Sequence, residues 1–393
     1  MKNKHHILIA GAGGIGQALA LILAEYSEEM PVLYIGNRNP AKAVEAARFV
    51  KAGATRRIEV LPFHLPEEGL NHATLEVLHK AEILLDCLPG GQAPRMAKLA
   101  LDHGLHYANM TEYVQETNEI VALAAHATKG FALQCGLAPG YIDVLAHGMF
   151  REFCEQHGVD HADYIGMKVG ALTRHASAPH FYGFTWSPVG VATEYVKDAV
   201  CVRDYLKQTV PALSGLETIL VDGRIYEANL TSGGAADLPD ALEGKVKKLD
   251  YKTLRYPGHY AWVQSILDAV PKGEDKIAFL QQRMESAIPH VEDDCVILHA
   301  CVEGRDAHGT LRKTEQGFSV LPQRVGRHTL RAIQTTTAAP LAETARLLLE
   351  ESYAGVVYQS QLDPDSFLNG IFIRPFYYPH ASRAGRAKET VHM

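Results

Sequence analysis

The chain has 393 residues, 47% apolar and 21% charged, with a formal net charge of −7. That length suits two domains with separate cores, and the acidic balance provides no basic face for nucleic acid. No apolar run approaches the roughly 20 residues of a membrane-spanning helix.

The first element is a strand, Ile7-Leu8-Ile9. It runs into Gly11-Ala12-Gly13-Gly14-Ile15-Gly16 and then the helical periodicity of Ala18, Leu19, Leu21 and Ile22. This is the G-x-G-x-x-G dinucleotide fingerprint in its proper setting, after a strand and opening a helix. Gly11 is expected to turn the chain, Gly13 to let main chain approach a pyrophosphate, and Gly16 to let helix pack on strand. Gly14 and Ile15 belong to the helix N-terminus, whose free N–H groups and partial positive charge attract phosphate.

A second strand, over 32–35, ends at Gly36-Asn37-Arg38-Asn39. An NAD site places Asp or Glu here, on the ribose hydroxyls. This chain has neutral Asn37 and cationic Arg38, and an Arg holds a 2′-phosphate with hydrogen bonds of about 1.5–3 kcal/mol each. NADP(H) is therefore the expected cofactor, with NAD(H) the alternative.

Strands over 58–63, 83–88, 106–110 and 131–135, with helices over 93–103 and 115–126, continue a βαβ rhythm. They predict an α/β fold with a doubly wound parallel sheet of Rossmann type. Cys87, Leu88 and Pro89 lie in a loop at the carboxyl end of a strand, where ligands sit in open α/β sheets. With Asn109 they are placed at the nicotinamide end. Gly136-Leu137-Ala138-Pro139-Gly140 then breaks the rhythm and opens a helix over 141–155.

Beyond that break, longer alternating segments over 165–172, 218–230, 248–255, 296–303 and 310–321 predict a second α/β domain. Its sheet should be mixed and largely antiparallel, with helices over 189–199, 261–269 and 277–287 on one face. A helical pattern returns near 335 and continues through 341–350. The expected division is 1–138 completed by 336–393 for nucleotide binding, and 139–335 for substrate binding and dimerisation. The polar, basic end 380–393 is expected to fray.

The six cysteines lack C-x-x-C spacing and read as reduced core thiols. The 20 histidines form no H-E-x-x-H or close Cys/His cluster, so no metal site is expected. The amino terminus enters the first strand directly, so no cleavable leader is expected and the location is read as cytoplasmic.

Several segments resemble the saccharopine dehydrogenase family, which includes saccharopine reductases and lysine 6-dehydrogenases. They are the glycine fingerprint, Cys87-Leu88-Pro89, Gly104-Leu105-His106-Tyr107 and Gly136-Leu137-Ala138-Pro139-Gly140. More distinctive are Phe184-Thr185-Trp186-Ser187-Pro188-Val189-Gly190-Val191 and Thr253-Leu254-Arg255-Tyr256-Pro257-Gly258-His259. Where family members commonly carry Asp after the aromatic of the 104–109 segment, this chain has Asn109. The resemblance implies a Rossmann domain completed by C-terminal helices, a second α/β domain, a substrate cleft between them and a homodimer. It also implies reversible NAD(P)-dependent oxidation of a C–N bond next to a lysine-like side chain, on an amino-acid substrate.

Such chemistry needs a proton acceptor for the amine and an anchor for substrate carboxylates. Arg255, at a strand end before a Pro-Gly turn, is the anchor candidate, with Lys252 three residues earlier. Thr231 and Ser232 offer hydroxyls at another strand end, or serve as turn residues. Tyr182 and Trp186 read as pocket wall. His259 and Asp143 are the proton-transfer candidates; each has a structural alternative, His259 as a satisfied core group and Asp143 as a carboxylate on its helix dipole. The leading reading is an NADP(H)-dependent oxidoreductase of a lysine-derived or opine-type amino acid. A lysine 6-dehydrogenase, a carboxynorspermidine-type dehydrogenase and a non-catalytic NADP(H)-binding sensor are the alternatives.

Overall fold

The computed structural model describes residues 4–377. The expected fraying of 380–393, and the end of the segment expected to complete the nucleotide domain, lie outside the described residues. Strands β1 (His6–Ala10), β2 (Val32–Asn37), β3 (Glu59–His64), β4 (Ile83–Asp86), β5 (His106–Asn109) and β6 (Gly130–Ala132) alternate with helices. All pair in parallel, in the spatial order β3-β2-β1-β4-β5-β6. Residues 7–10 are buried on both faces, as expected of a central parallel strand covered by helices on either side. The order reverses between β1 and β4, and ligands bind at such a switch point, beyond the strands' carboxyl ends.

The second sheet has eight strands. Its path begins with β7 (Ala162–Thr173); then come the hairpin β8 (Ala199–Arg203) with β9 (Leu206–Val210), and β10 (Glu217–Val221) with β11 (Arg224–Leu230). The long strands β12 (Val246–Arg255), β13 (Asp294–Arg305) and β14 (Leu311–Val320) complete it. The order is β10-β11-β12-β7-β13-β14, with the β8–β9 hairpin beside β12. Only β12 and β7 run parallel; every other pair is antiparallel. The α/β class and the mixed, largely antiparallel second sheet are those read from the sequence.

Two of the elements that differ from the sequence reading do so for a local reason. The stretch 218–230 is a hairpin, because Asp222 and Gly223 turn with φ +50° and +73°, the left-handed geometry a two-residue hairpin loop demands. The helix expected over 189–199 stops at Val196, and its last residues start β8, which turns into β9 through Asp204 and Tyr205, both at positive φ.

After β14 come the short hairpin β15 (Gln323–Val325) and β16 (His328–Leu330), then helix Ala332–Glu350 and strand β17 (Gly355–Val357). β17 adds a seventh strand to the first sheet, parallel to β6. Helix Ala332–Glu350 packs on helix Gly14–Tyr26, the one that follows the glycine loop. It begins three residues before the sequence pattern suggests because Asp294, at the start of β13, caps it from a distance. The Asp294 carboxylate accepts from Ala332 N at 2.8 Å and Ile333 N at 2.7 Å. The two lobes are thus joined by a buried cap as well as by chain crossings. No helix among the described residues is long and apolar enough to cross a membrane.

Candidate active site

The two lobes enclose a cleft of about 970 Å³. One wall is main chain. Gly11 sits at φ +115°, and a Cβ there would lie 2.8 Å from the Cys87 carbonyl oxygen. A Cβ on Gly16 would fall 2.0 Å from the Gly11 carbonyl oxygen, whereas one on Gly13 would meet nothing within 4 Å. Gly16 therefore holds the helix on the strand, and Gly13 faces open cleft. The helix that starts at Gly14 has no side-chain cap and no acid in its first turn, so its amides point unopposed at whatever occupies the cleft. Gly11, Gly13, Gly14 and Ile15 all line it. This cradle fits the pyrophosphate of a dinucleotide.

At one end of the wall stand Asn37, Arg38, Lys42 and Arg95. Asn37 is committed to its own turn, accepting from Asn39 N at 2.9 Å. Arg38 is 73% exposed and reaches Glu67 at 2.5 Å. Toward the other end, Asp86, Cys87, Leu88, Pro89 and Asn109 border the cleft. Asp86 accepts from Leu88 N at 3.0 Å and from the Tyr107 hydroxyl at 2.9 Å. Burial, only partly offset by those bonds, pushes its carboxyl up to about 7. Asn109 reaches the cleft with both polar ends in use: Oδ1 accepts from Gln134 N at 3.0 Å and Nδ2 donates to Tyr107 at 3.3 Å. Cys135 lies behind this wall with its thiol pushed up to about 12 by burial, which leaves it inert.

The opposite wall is made of side chains. In β12, Tyr251, Thr253 and Arg255 project into the cleft. Lys252 lies on the other face of the same strand, where it bonds the Gly215 carbonyl at 2.6 Å and sits 3.3 Å from Glu217. Strand side chains alternate, so residues an odd number apart cannot share a face. Lys252 is thus separated from Arg255 by the pleat, and its assignment to the substrate site is corrected.

Arg255 is 1% exposed. Its Nε donates to the Tyr195 hydroxyl at 2.5 Å and Nη1 to the Leu254 carbonyl at 2.9 Å. Tyr182 stacks on the guanidinium at 4.6 Å, which makes it a support beneath Arg255, not a cleft-lining wall. Behind Tyr195 is His259. Its Nδ1 donates to the His180 carbonyl at 2.6 Å, leaving Nε2 to accept from the Tyr195 hydroxyl at 3.0 Å. Burial, aided by the Arg255 charge, holds His259 down at about 3. His259 is neutral and walled off from the cleft, so it is no general base; it ends a chain of hydrogen bonds that orients Arg255.

Asp143 is likewise corrected. It is fully buried and closes the first turn of helix Tyr141–His157, accepting from Gly140 N at 2.7 Å. Thr231 and Ser232 stand one layer back. Thr231 bonds the hydroxyl of Thr253 at 2.7 Å, and Ser232 N donates to the Glu194 carbonyl at 3.1 Å. Neither hydroxyl borders the cleft, whereas Trp186 does.

Foremost among the cleft residues that sequence reasoning missed, which include Lys42, Arg95, Glu112 and Arg331, is Glu194. It borders the cleft with Oε2 4.0 Å from Arg255 Nη2, and that oxygen has no hydrogen-bond partner. Burial raises its carboxyl to about 8, outweighing the pull of Arg255, while Glu112 across the cleft adds to the rise. The signal was present: Val191, Glu194 and Tyr195 share one face of helix Pro188–Val196, so an acid stands in an apolar stripe.

Comparison with known proteins identifies the family. Residues 7–133 match the family described as saccharopine dehydrogenase NADP binding domain, and residues 136–371 match saccharopine dehydrogenase C-terminal domain. Among solved structures, apo saccharopine dehydrogenase (L-Glu forming) from Saccharomyces cerevisiae is similar at 15% identity and a TM-score of 0.71, covering 95% of this chain and 98% of that one. Homospermidine synthase from Legionella pneumophila, solved in complex with NAD, is similar at 13% identity and a TM-score of 0.66, covering 100% of this chain and 96% of that one. At those identities the two structures establish likeness of fold, while the matched domains carry the assignment. The chain belongs to the saccharopine dehydrogenase family.

Proposed function

We propose that the cleft performs NADP(H)-dependent oxidation, and the reverse reduction, of a CH–NH bond in a lysine-derived or opine-type amino acid, with saccharopine the concrete case. The observation that carries this reading is the Arg255–Glu194 pair facing the glycine-loop wall across one cleft. Arg255 Nη2 has Glu194 only at the long distance of 4.0 Å, which leaves it able to take a substrate carboxylate. Trp186 supplies an apolar wall. When bound, the cofactor supplies the hydride acceptor or donor. The chain's own residues handle position and protons. An amine can give up hydride only after its nitrogen has lost its extra proton, and Glu194 is the cleft carboxylate poised to take it near its pKa of about 8. The imine then takes up water and separates into a carbonyl compound and an amine, with Glu194 returning the proton.

NADP(H) is preferred in this reading because the adenosine end has Arg38, Lys42 and Arg95 and no acid at residue 37. A diamine substrate is the second reading; the carboxylates Glu194 and Glu112 and the Trp186 ring, all in the cleft lining, favour it, since they suit an ammonium group. The proposal includes a cytoplasmic homodimer joined through the second sheet, supported by exposed Leu216, Leu220 and Ile225 around its edge hairpin and checked by sedimentation velocity. The activity is tested by following NADP+ reduction with saccharopine, lysine, related opines and diamines at alkaline pH, and again with NAD+. Reduction by an amino-acid secondary amine is expected. Reduction by diamines alone would move the assignment to the second reading.

A further inference from the structure

We infer that Arg331 clamps the cofactor pyrophosphate from outside the nucleotide-binding sheet, so that cofactor affinity depends on the strut joining the two lobes. The inference rests on the nucleotide reading of the glycine loop and adds a residue that the fingerprint does not contain.

Arg331 lies between the last strand of the short hairpin and helix Ala332–Glu350, far along the chain from the loop it meets. It borders the same cleft as Gly11, Gly13 and Gly14. A Cβ placed on Gly14 would lie 3.9 Å from Arg331 Nη2 and 3.2 Å from Gln334 Nε2. Gln334 fixes this approach: its Nε2 donates to the Gly14 carbonyl at 2.9 Å, while its Oε1 accepts from Arg331 N at 3.0 Å. The guanidinium is therefore held beside the open amides of the loop helix, where two phosphates would bring negative charge.

The guanidinium's present engagements are weak. Nε is 3.5 Å from Glu292, which is 88% exposed, and Nη1 donates to the Val291 carbonyl at 3.4 Å. An exposed ion pair at that distance is worth little, and Nη2 has no described partner. A pyrophosphate offers this fork a stronger acceptor than Glu292 does. Asp294 holds the whole assembly in place through its cap on Ala332 and Ile333. The clamp is thus built by the second lobe and delivered to the first.

The test compares equilibrium affinities for NADPH, ADP-ribose and adenosine 2′-monophosphate, measured by titration with the whole protein. ADP-ribose has the pyrophosphate without the 2′-phosphate, and adenosine 2′-monophosphate has the reverse. Arg331→Ala is expected to weaken NADPH and ADP-ribose roughly ten- to a hundredfold, leaving adenosine 2′-monophosphate unchanged. Glu292→Gln, on the surface, is expected to tighten the first two by removing a competitor. Arg38→Ala should instead weaken NADPH and adenosine 2′-monophosphate and spare ADP-ribose. Equal weakening of all three ligands in Arg331→Ala, or no change in any, would overturn the clamp. No uptake of any ligand by the wild-type protein would bring down the nucleotide reading, and the clamp with it.

Discussion

On the glycine-loop side of the cleft, the groups offered to a ligand are main-chain amides, placed by the absence of side chains at Gly11, Gly13 and Gly16. On the facing side they are the side chains of Arg255, Glu194 and Trp186, each placed by a layer behind it. The first wall needs little beyond a strand, a turn and a helix, and the same solution serves any dinucleotide. The second needs a buried support for each charge: Tyr182, Tyr195 and His259 for Arg255, and helix Pro188–Val196 with the Ser232 backbone for Glu194. Backbone chemistry is local in sequence, whereas side-chain chemistry of this kind is assembled over long distances.

The largest expected effect falls on the side-chain wall. Arg255→Ala removes the proposed carboxylate anchor and leaves Glu194 buried without its neighbouring cation. A charge-assisted hydrogen bond of about 1.5–3 kcal/mol predicts a roughly ten- to hundredfold loss of kcat/KM, measured by initial rates on the best amine substrate. Arg255→Lys should recover only part of it, because the Nε contact to Tyr195 is lost.

On the main-chain wall, two glycines separate folding from binding. Gly16→Ala forces a Cβ to within 2.0 Å of a carbonyl oxygen and should cost about 1–3 kcal/mol of stability, read from denaturant midpoints. Gly13→Ala has room for its methyl, so it should fold normally and lose only NADPH affinity. Equal destabilisation by both would erase the distinction between the two glycines.

Glu194→Gln sharpens the comparison through pH. The folded carboxyl titrates near 8 against an ordinary value of 4.5. Between those values the native state keeps a proton that the unfolded chain has released. Wild-type stability should therefore fall as pH rises through that window, by roughly 1.4 kcal/mol per unit, and the Gln variant should lack this slope. The alkaline rise in amine oxidation should disappear with it.

The smallest effect belongs to His259→Gln. His259 acts on Arg255 indirectly, through its hydrogen bond to Tyr195 and its packing on Tyr182, so kcat/KM should fall less than about tenfold and the rate profile between pH 6 and 8 should keep its shape. Its folded value of about 3 lies below the ordinary 6.5. The unfolded chain thus binds a proton that the native state refuses, and wild-type stability should decline as pH falls below 6.5. The Gln variant should lose that decline.

These contrasts also explain what the sequence disclosed. The parallel sheet, the switch point and the glycine cradle follow from short apolar runs and a six-residue motif, all local. The Asp222-Gly223 turn was equally local: a dipeptide that specifies a tight hairpin, hidden within a long run that read as one strand. Lys252 was separable from Arg255 by counting, since alternate residues of a strand face opposite ways. Glu194 could be suspected from an acid on an apolar helical face, but its exposure to the cleft depends on how that helix packs. For His259 and Asp143 the structural alternative, a satisfied core group and a first-turn carboxylate, is the one the fold adopts. The role of Asp294 was not legible, because it is set by a helix that only tertiary packing brings near.

The most direct measurement is the rate of NADP+ reduction by the best amino-acid secondary amine across alkaline pH, for wild type beside Arg255→Ala and Glu194→Gln. The account predicts turnover in wild type that rises through about pH 8, a large loss in the first variant and a flattened profile in the second. Firm NADPH binding with no reduction by any amine would contradict it and leave the cleft a nucleotide sensor.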